Sequence, residues 1–162
     1  MVWTAFVPDL TSLEAAGDKL QADNAFVALT DEGTAMLVSG PDDALLQVVH
    51  GEPDPDRRVE YATSVQAICA NGQFRRGVEL GVEIAQRVEQ ITGAPTTFLS
   101  AVTGPYAGVA WVSGFADAAE MERSQQALMT DTDWADFIDR EAGTVYSAEP
   151  TVTTQSIYRH VT

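Results

Sequence analysis

Residues 95–140 read PTTFLSAVTGPYAGVAWVSGFADAAEMERSQQALMTDTDWADFIDR, and this stretch decides the fold. Residues 95–103 and 106–115 are short, rich in β-branched and aromatic side chains, and parted by Gly104-Pro105, a turn signal. They predict two adjacent strands. Asp117-Ala-Ala-Glu120 then opens one amphipathic helical pattern, and Asp131-Thr-Asp-Trp134 opens a second. An acidic side chain at each start can accept hydrogen bonds from the orphan amides of the first turn. A strand at 152–161 closes the series.

Working outward, residues 74–92 carry the cleanest helical period. Phe74, Val78, Gly81, Ala85 and Val88 share one face, widened by Gly77, Ile84 and Ile91, while Arg75, Arg76, Glu79, Glu83, Gln86 and Arg87 lie opposite. Each interior glycine costs roughly 0.8–1 kcal/mol relative to alanine. Two of them on the apolar face predict a close approach of this helix to a sheet, with room for a ligand beneath it as the alternative. Before the helix, 59–70 reads as a long strand.

The first third predicts the same order again. Residues 2–7 read as a strand and Thr11-Ser-Leu-Glu14 as a capping box. Residues 25–30 and 34–39 read as a hairpin around Asp31-Glu-Gly33. Pro41-Asp42-Asp43 starts a second helix, with Leu45, Val48 and Val49 on its buried side and His50 at its end. Gly51-Glu-Pro-Asp-Pro-Asp56 is a stiff acidic linker. The expectation is an α+β chain using the ferredoxin-like split βαβ order twice in tandem. Its halves are 1–57 and 58–162, sharing the strand near 59–70 within one compact unit.

The strands are apolar on both faces. Val109, Trp111 and Phe115 point one way, Tyr106, Ala110 and Val112 the other. A sheet with one wet face alternates apolar with polar, so a second sheet is expected over these strands, from the other half or from another subunit.

Composition bounds function. At 162 residues the chain can bury about 70% of its unfolded surface without staples. The formal net charge of −15 opposes phosphate backbones and anionic membranes, so neither nucleic acid nor a membrane is an expected partner. The single cysteine, Cys69, rules out an internal disulfide, and together with an N-terminus that lacks a basic leader it predicts a cytoplasmic protein. No Cys/His spacing suits a metal, no glycine loop suits a phosphate, and no nucleophile elbow is present.

Several pieces together carry a family likeness: Gly93-Ala-Pro, Thr103-Gly-Pro-Tyr106, Val109-Ala-Trp-Val112, Phe115-Ala-Asp-Ala-Ala-Glu-Met121, Asp131-Thr-Asp-Trp134 and Ile157-Tyr-Arg159. Over residues 65–162 the chain resembles the dimeric α/β-barrel superfamily, and within it the NIPSNAP-like proteins. Residues 1–57 show no such match. The resemblance implies antiparallel ferredoxin-like sheets packed face to face in a homodimer. It also implies a possible inter-sheet cavity, of the kind that serves cofactor-free monooxygenases, isomerases or haem proteins.

Two readings stay open. In one, the chain is an oligomerising or binding module with an interface packed by Trp111, Tyr61 and Phe115. In the other, it is a cofactor-free enzyme or binder acting on a small apolar or aromatic compound. That cavity would be lined by Tyr61, Trp111, Ser113 and Tyr158, with Tyr106 as a further polar group and His160 as the candidate general base. No cofactor is expected, because a haem would need an axial ligand and both histidines have ordinary roles at element ends.

Overall fold

Ten elements make up the computed structural model, which describes residues 4–38, 43–54, 56–149 and 151–160. In chain order these are α1 (Leu10–Ala22), α2 (Asn24–Thr34), β1 (Leu46–His50), β2 (Tyr61–Ile68) and α3 (Phe74–Thr92). They continue with β3 (Thr96–Ala101), β4 (Gly108–Phe115), α4 (Ala118–Thr130), α5 (Thr132–Val145) and β5 (Thr154–Arg159). The chain divides into two units, Met1–Asp42 and Asp43–Thr162.

In the larger unit, five strands form one open sheet in the order β1-β3-β4-β2-β5, with every pairing antiparallel. From β2 to β5 this is the split βαβ arrangement, with β1 added at the edge beside β3. The elements from α3 to β5 therefore follow the expected order. Local chemistry explains the boundaries. The Asp117 carboxylate accepts from the Glu120 amide at 2.7 Å, and Glu120 reaches back to accept from the Ala116 amide at 2.6 Å. Asp131 accepts from the Trp134 amide at 2.8 Å to start α5. Gly93 ends α3 in the left-handed region, at φ 72°, where a side chain would be strained.

The expected tandem repeat is not formed. Of the hairpin predicted at 25–30 and 34–39, residues 25–34 belong to the helix α2, 35–38 are turn and irregular, and 39 lies outside the described residues. The Asp23 carboxylate caps it, accepting from the Ala25 and Phe26 amides at 2.9 and 3.3 Å. Thr30 and Thr34, read as strand formers, turn their hydroxyls back to donate to the carbonyls of Phe26 and Thr30 at 2.9 and 2.8 Å. The α1 cap is Asp9, accepting from the Ser12 amide at 2.7 Å, rather than Thr11.

Residues 4–7 of the predicted first strand are not strand, and 2–3 lie outside the described residues. The helix expected from 41 is instead β1, with 41–42 also outside the described residues. Leu45, Val48 and Val49 fit a helical spacing, but Leu46 and Val48 alternate equally well, and pairing with β3 decides the matter. His50 accordingly ends a strand, 3.9 Å from Glu89, instead of capping a helix. With β1 in the sheet, the division falls after Asp42, where 57 was expected.

Helices α3, α4 and α5 cover one face of the sheet. The buried stripe of α3 is Gly77, Leu80, Gly81, Ile84 and Ala85, rotated from the expected face so that Leu80 is inside and Phe74 is exposed. Both glycines mark close approach. A Cβ at Gly77 would strike Cys69 Sγ, and one at Gly81 would strike the ring of Phe98, which has no exposed surface. Residues 61, 63, 65 and 67 of β2 and 109, 111, 113 and 115 of β4 share the helix-facing side. Trp111, Tyr61 and Phe115 thus lie on that side, with Trp111 and Phe115 buried within the chain, where one expectation had the three pack an oligomer interface. The opposite face carries Leu46, Val48, Leu99, Ala110 and Val112.

Candidate functional site

Trp111 sits mid-sheet on the helix-facing side, held from three directions. Its indole N–H donates to the Gly81 carbonyl at 2.8 Å. Its ring centroid lies 5.2 Å from that of Phe98 and 5.4 Å from that of Tyr146, the latter pair edge-on at 89°. Tyr146 donates its own hydroxyl to the Gly77 carbonyl at 2.7 Å. Two aromatic polar tips are therefore spent on the carbonyls of α3, and both side chains also border the space beside them.

That space is a cavity of about 460 Å³ between the sheet and the three helices, within the usual range of small-molecule sites, about 300–1,000 Å³. Val65, Trp111 and Ser113 form its sheet side, Ile84 and Val88 its α3 wall. Ser124 and Leu128 come from α4, and Trp134, Ile138 and Gly143 from α5. Its polar groups are hydroxyls and amides: Thr63, Thr96, Ser113, Ser124, Gln125 and Gln155 among them. Thr96 Oγ1 and Ser113 Oγ are 2.8 Å apart, and Thr96 can also donate to the Ala94 carbonyl at 3.3 Å.

Among the described residues, the lining holds no carboxylate, imidazole, amine, guanidinium or thiol. Its one titratable group is Tyr146, whose burial pushes the phenol well above its ordinary value. Burial likewise pushes up the neighbouring Cys69 thiol, which keeps it protonated. Such a cavity can bind an uncharged molecule and orient it by hydrogen bonds. Its lining offers no proton acceptor suited to neutral pH.

The residues singled out from sequence separate in space. Trp111 and Ser113 line the cavity together. Tyr61 is half-buried at the start of β2, 5.8 Å beneath the Arg159 guanidinium, and is not part of the lining. Tyr158 pairs with Ala62, which turns it to the opposite sheet face. His160 is exposed beyond the end of β5, where its amide donates to the Glu60 carbonyl at 2.8 Å. Tyr106 is almost fully exposed in the β3–β4 turn. Thr153 and Gln155 do reach the cavity, but from the residues that open β5 rather than from its end.

Sequence reasoning passed over Thr63, Thr96, Ser124, Trp134 and Tyr146. Trp134 and Ile138 share a helix face at a spacing of four, a signal that could have placed them. The two threonines become legible only through register: Thr63 and Thr96 both stand opposite Ser113.

No family model matches the chain, and no curated protein matches it. Solved structures do. A Fusobacterium nucleatum protein provisionally named a monooxygenase aligns with a TM-score of 0.57 at 8% identity, covering 90% of this chain and 67% of that one. The fold is ferredoxin-like. A NIPSNAP family protein from Agrobacterium tumefaciens is also similar, at a TM-score of 0.48 and 18% identity over 60% of this chain and 90% of that one. So is a NIPSNAP-like domain protein from Burkholderia xenovorans, at 0.49 and 12% over 65% and 88%. At these identities the likeness extends to the fold alone. Among the described residues, no helix is long and apolar enough to cross a membrane, and no cluster of side chains suits a metal ion.

Proposed function

We propose that the Asp43–Thr162 unit is a binding module for a small, uncharged, largely apolar molecule held between its sheet and helices. The observation that carries this reading is the cavity of about 460 Å³, whose lining joins aromatic and aliphatic surface to neutral hydroxyls and amides. Native mass spectrometry of the purified full chain, with an absorbance scan, tests it directly. The expected result is one bound apolar compound per chain, carried through purification or added, and lost in Ala142→Phe, which fills the cavity from α5. Binding that survives Ala142→Phe would refute this location.

The module reading includes a homodimer. Its support is the β1 side of the sheet face away from the helices, where Leu46 and Val48 stay exposed next to buried Leu99 and half-buried Val112. Light scattering should give twice the 17.4 kDa chain mass, and Val112→Glu should return the single-chain mass. A single-chain mass for the wild type at every concentration would overturn the pairing. The charge of −15 disfavours a nucleic-acid partner, and a buried, protonated Cys69 suits a reducing cytoplasm.

A cofactor-free oxygenase is the second reading, and the provisional name of the Fusobacterium nucleatum protein is what favours it. With no base in the lining, such a reaction would need a substrate that ionises readily by itself.

A further inference from the structure

We infer that this cavity selects a neutral ligand carrying one carbonyl or hydroxyl oxygen on an apolar body, and that Ser113 receives that oxygen. The inference rests on the binding reading above and specifies its ligand. Its ground is a single rung of the sheet. Thr63, Ser113 and Thr96 stand side by side on β2, β4 and β3, all on the helix-facing side. The next rung along is Val65, Trp111 and Phe98, wholly apolar in body. Thr96 and Ser113 are buried inside an otherwise apolar layer and meet each other's need for a partner, while Thr63 beside them is half-buried.

Within the Thr96–Ser113 pair the hydrogen bonds leave one function over. Thr96 is almost fully buried and has one proton to give, either to the Ala94 carbonyl or to Ser113 Oγ. If Thr96 donates to Ala94, Ser113 donates to Thr96 and turns its lone pairs to the cavity, ready for a ligand hydroxyl. If Thr96 donates to Ser113, the Ser113 proton is released toward the cavity, ready for a ligand carbonyl. Ser124, the one buried residue of α4, adds another hydroxyl to the same lining. Charged ligands meet the opposite situation. A carboxylate would lose its water with no cation in the lining, inside a chain of net charge −15.

Equilibrium dialysis of the full chain against three compounds tests this. Benzophenone carries the carbonyl, its methylene isostere replaces C=O by C=CH₂ at the same shape, and diphenylacetate carries a carboxylate. The wild type should bind benzophenone about tenfold more tightly than the isostere, the step expected for one well-placed hydrogen bond of about 1.4 kcal/mol, and diphenylacetate most weakly of the three. Ser113→Ala should erase the ketone preference while the isostere stays within about twofold of its wild-type affinity. Equal binding of ketone and isostere by the wild type overturns the inference without recourse to any variant, and leaves the cavity reading standing. An undiminished ketone preference in Ser113→Ala overturns the role of that residue. If neither neutral compound binds at all, the cavity reading falls and this inference falls with it.

Discussion

Replacing Gly81 by alanine should destabilise the larger unit by about 2–3 kcal/mol, although alanine is the better helix former. The structure supplies both sides of the comparison. Alanine gains roughly 0.8–1 kcal/mol of helix propensity over glycine. Against this, an ideal Cβ at Gly81 falls 2.7 Å from Phe98 Cε1 and closer still to two other ring carbons. Overpacking of this kind costs typically 1–3 kcal/mol, and the upper end applies because the ring is enclosed and packed, tilted, against Trp111. Lifting α3 to relieve the clash also strains the bond from Trp111 to the Gly81 carbonyl, adding about 1 kcal/mol. Urea titration followed by tryptophan fluorescence is the assay. With a slope of about 1–3 kcal/mol/M, the midpoint should fall by roughly 1 M or more. Gly143→Ala is the control: it is also helical but has nothing within 4 Å of its Cβ, so its midpoint should stay level or rise. Phe98→Leu placed with Gly81→Ala should couple favourably, by roughly 0.5–3 kcal/mol relative to additivity. A Gly81→Ala midpoint at or above wild type, or strict additivity with Phe98→Leu, would refute the claim that the ring limits how near α3 can lie.

Two further outcomes follow from the buried polar groups. Tyr146→Phe removes the donor to the Gly77 carbonyl and should cost roughly 1 kcal/mol in the same titration; no change would mean that water replaces the hydroxyl. Burial raises the folded pKa of Cys69 and Tyr146 above their ordinary values of 9.0 and 10.0, so the unfolded chain releases these protons first. Their contribution is therefore complete below pH 9 and is lost progressively as pH rises from there toward the folded values. Thermal midpoints should decline across that alkaline window, less steeply in Tyr146→Phe. A decline of identical steepness would show that Tyr146 takes no part.

The elements from β2 to β5 were legible because each announces itself locally. Asp117 and Asp131 cap their helices in the structure as their positions in sequence suggest, and Gly104-Pro105 falls in the turn between β3 and β4. The first third was misread where one pattern supports two periods. Leu45, Val48 and Val49 satisfy a helix and Leu46 with Val48 satisfies a strand, and only the tertiary partner β3 separates the two. Thr30 and Thr34 count as strand formers until their hydroxyls find carbonyls one turn back. The candidate site was half visible for a similar reason. Alternation along β4 puts Trp111 and Ser113 on one face, whereas the register against β2 and β5 decides that Tyr158 faces away and that Thr63 and Thr96 flank Ser113.

The cavity itself follows from the two glycines of α3. Without side chains at 77 and 81, that helix lies directly on β3 and β4, with Cys69 and Phe98 filling the notches. The pair α4 and α5 cannot follow it down. α5 packs chiefly on α3 and α4 rather than on a strand. Bulk on α5 would close the gap beneath, but Ala142 and Gly143 stand where it could do so. Across that gap the sheet offers Val65 and the Thr63–Ser113–Thr96 hydroxyls, and Trp134 and Ile138 face them from α5. One helix drawn close beside another that packs on its neighbours leaves a pocket with Trp134 and Ile138 of α5 above, the Thr63–Ser113–Thr96 hydroxyls on its sheet side, and Ser124 and Gln125 of α4 as further polar groups. The same glycines that fix the core thereby set the height of the space a ligand would occupy.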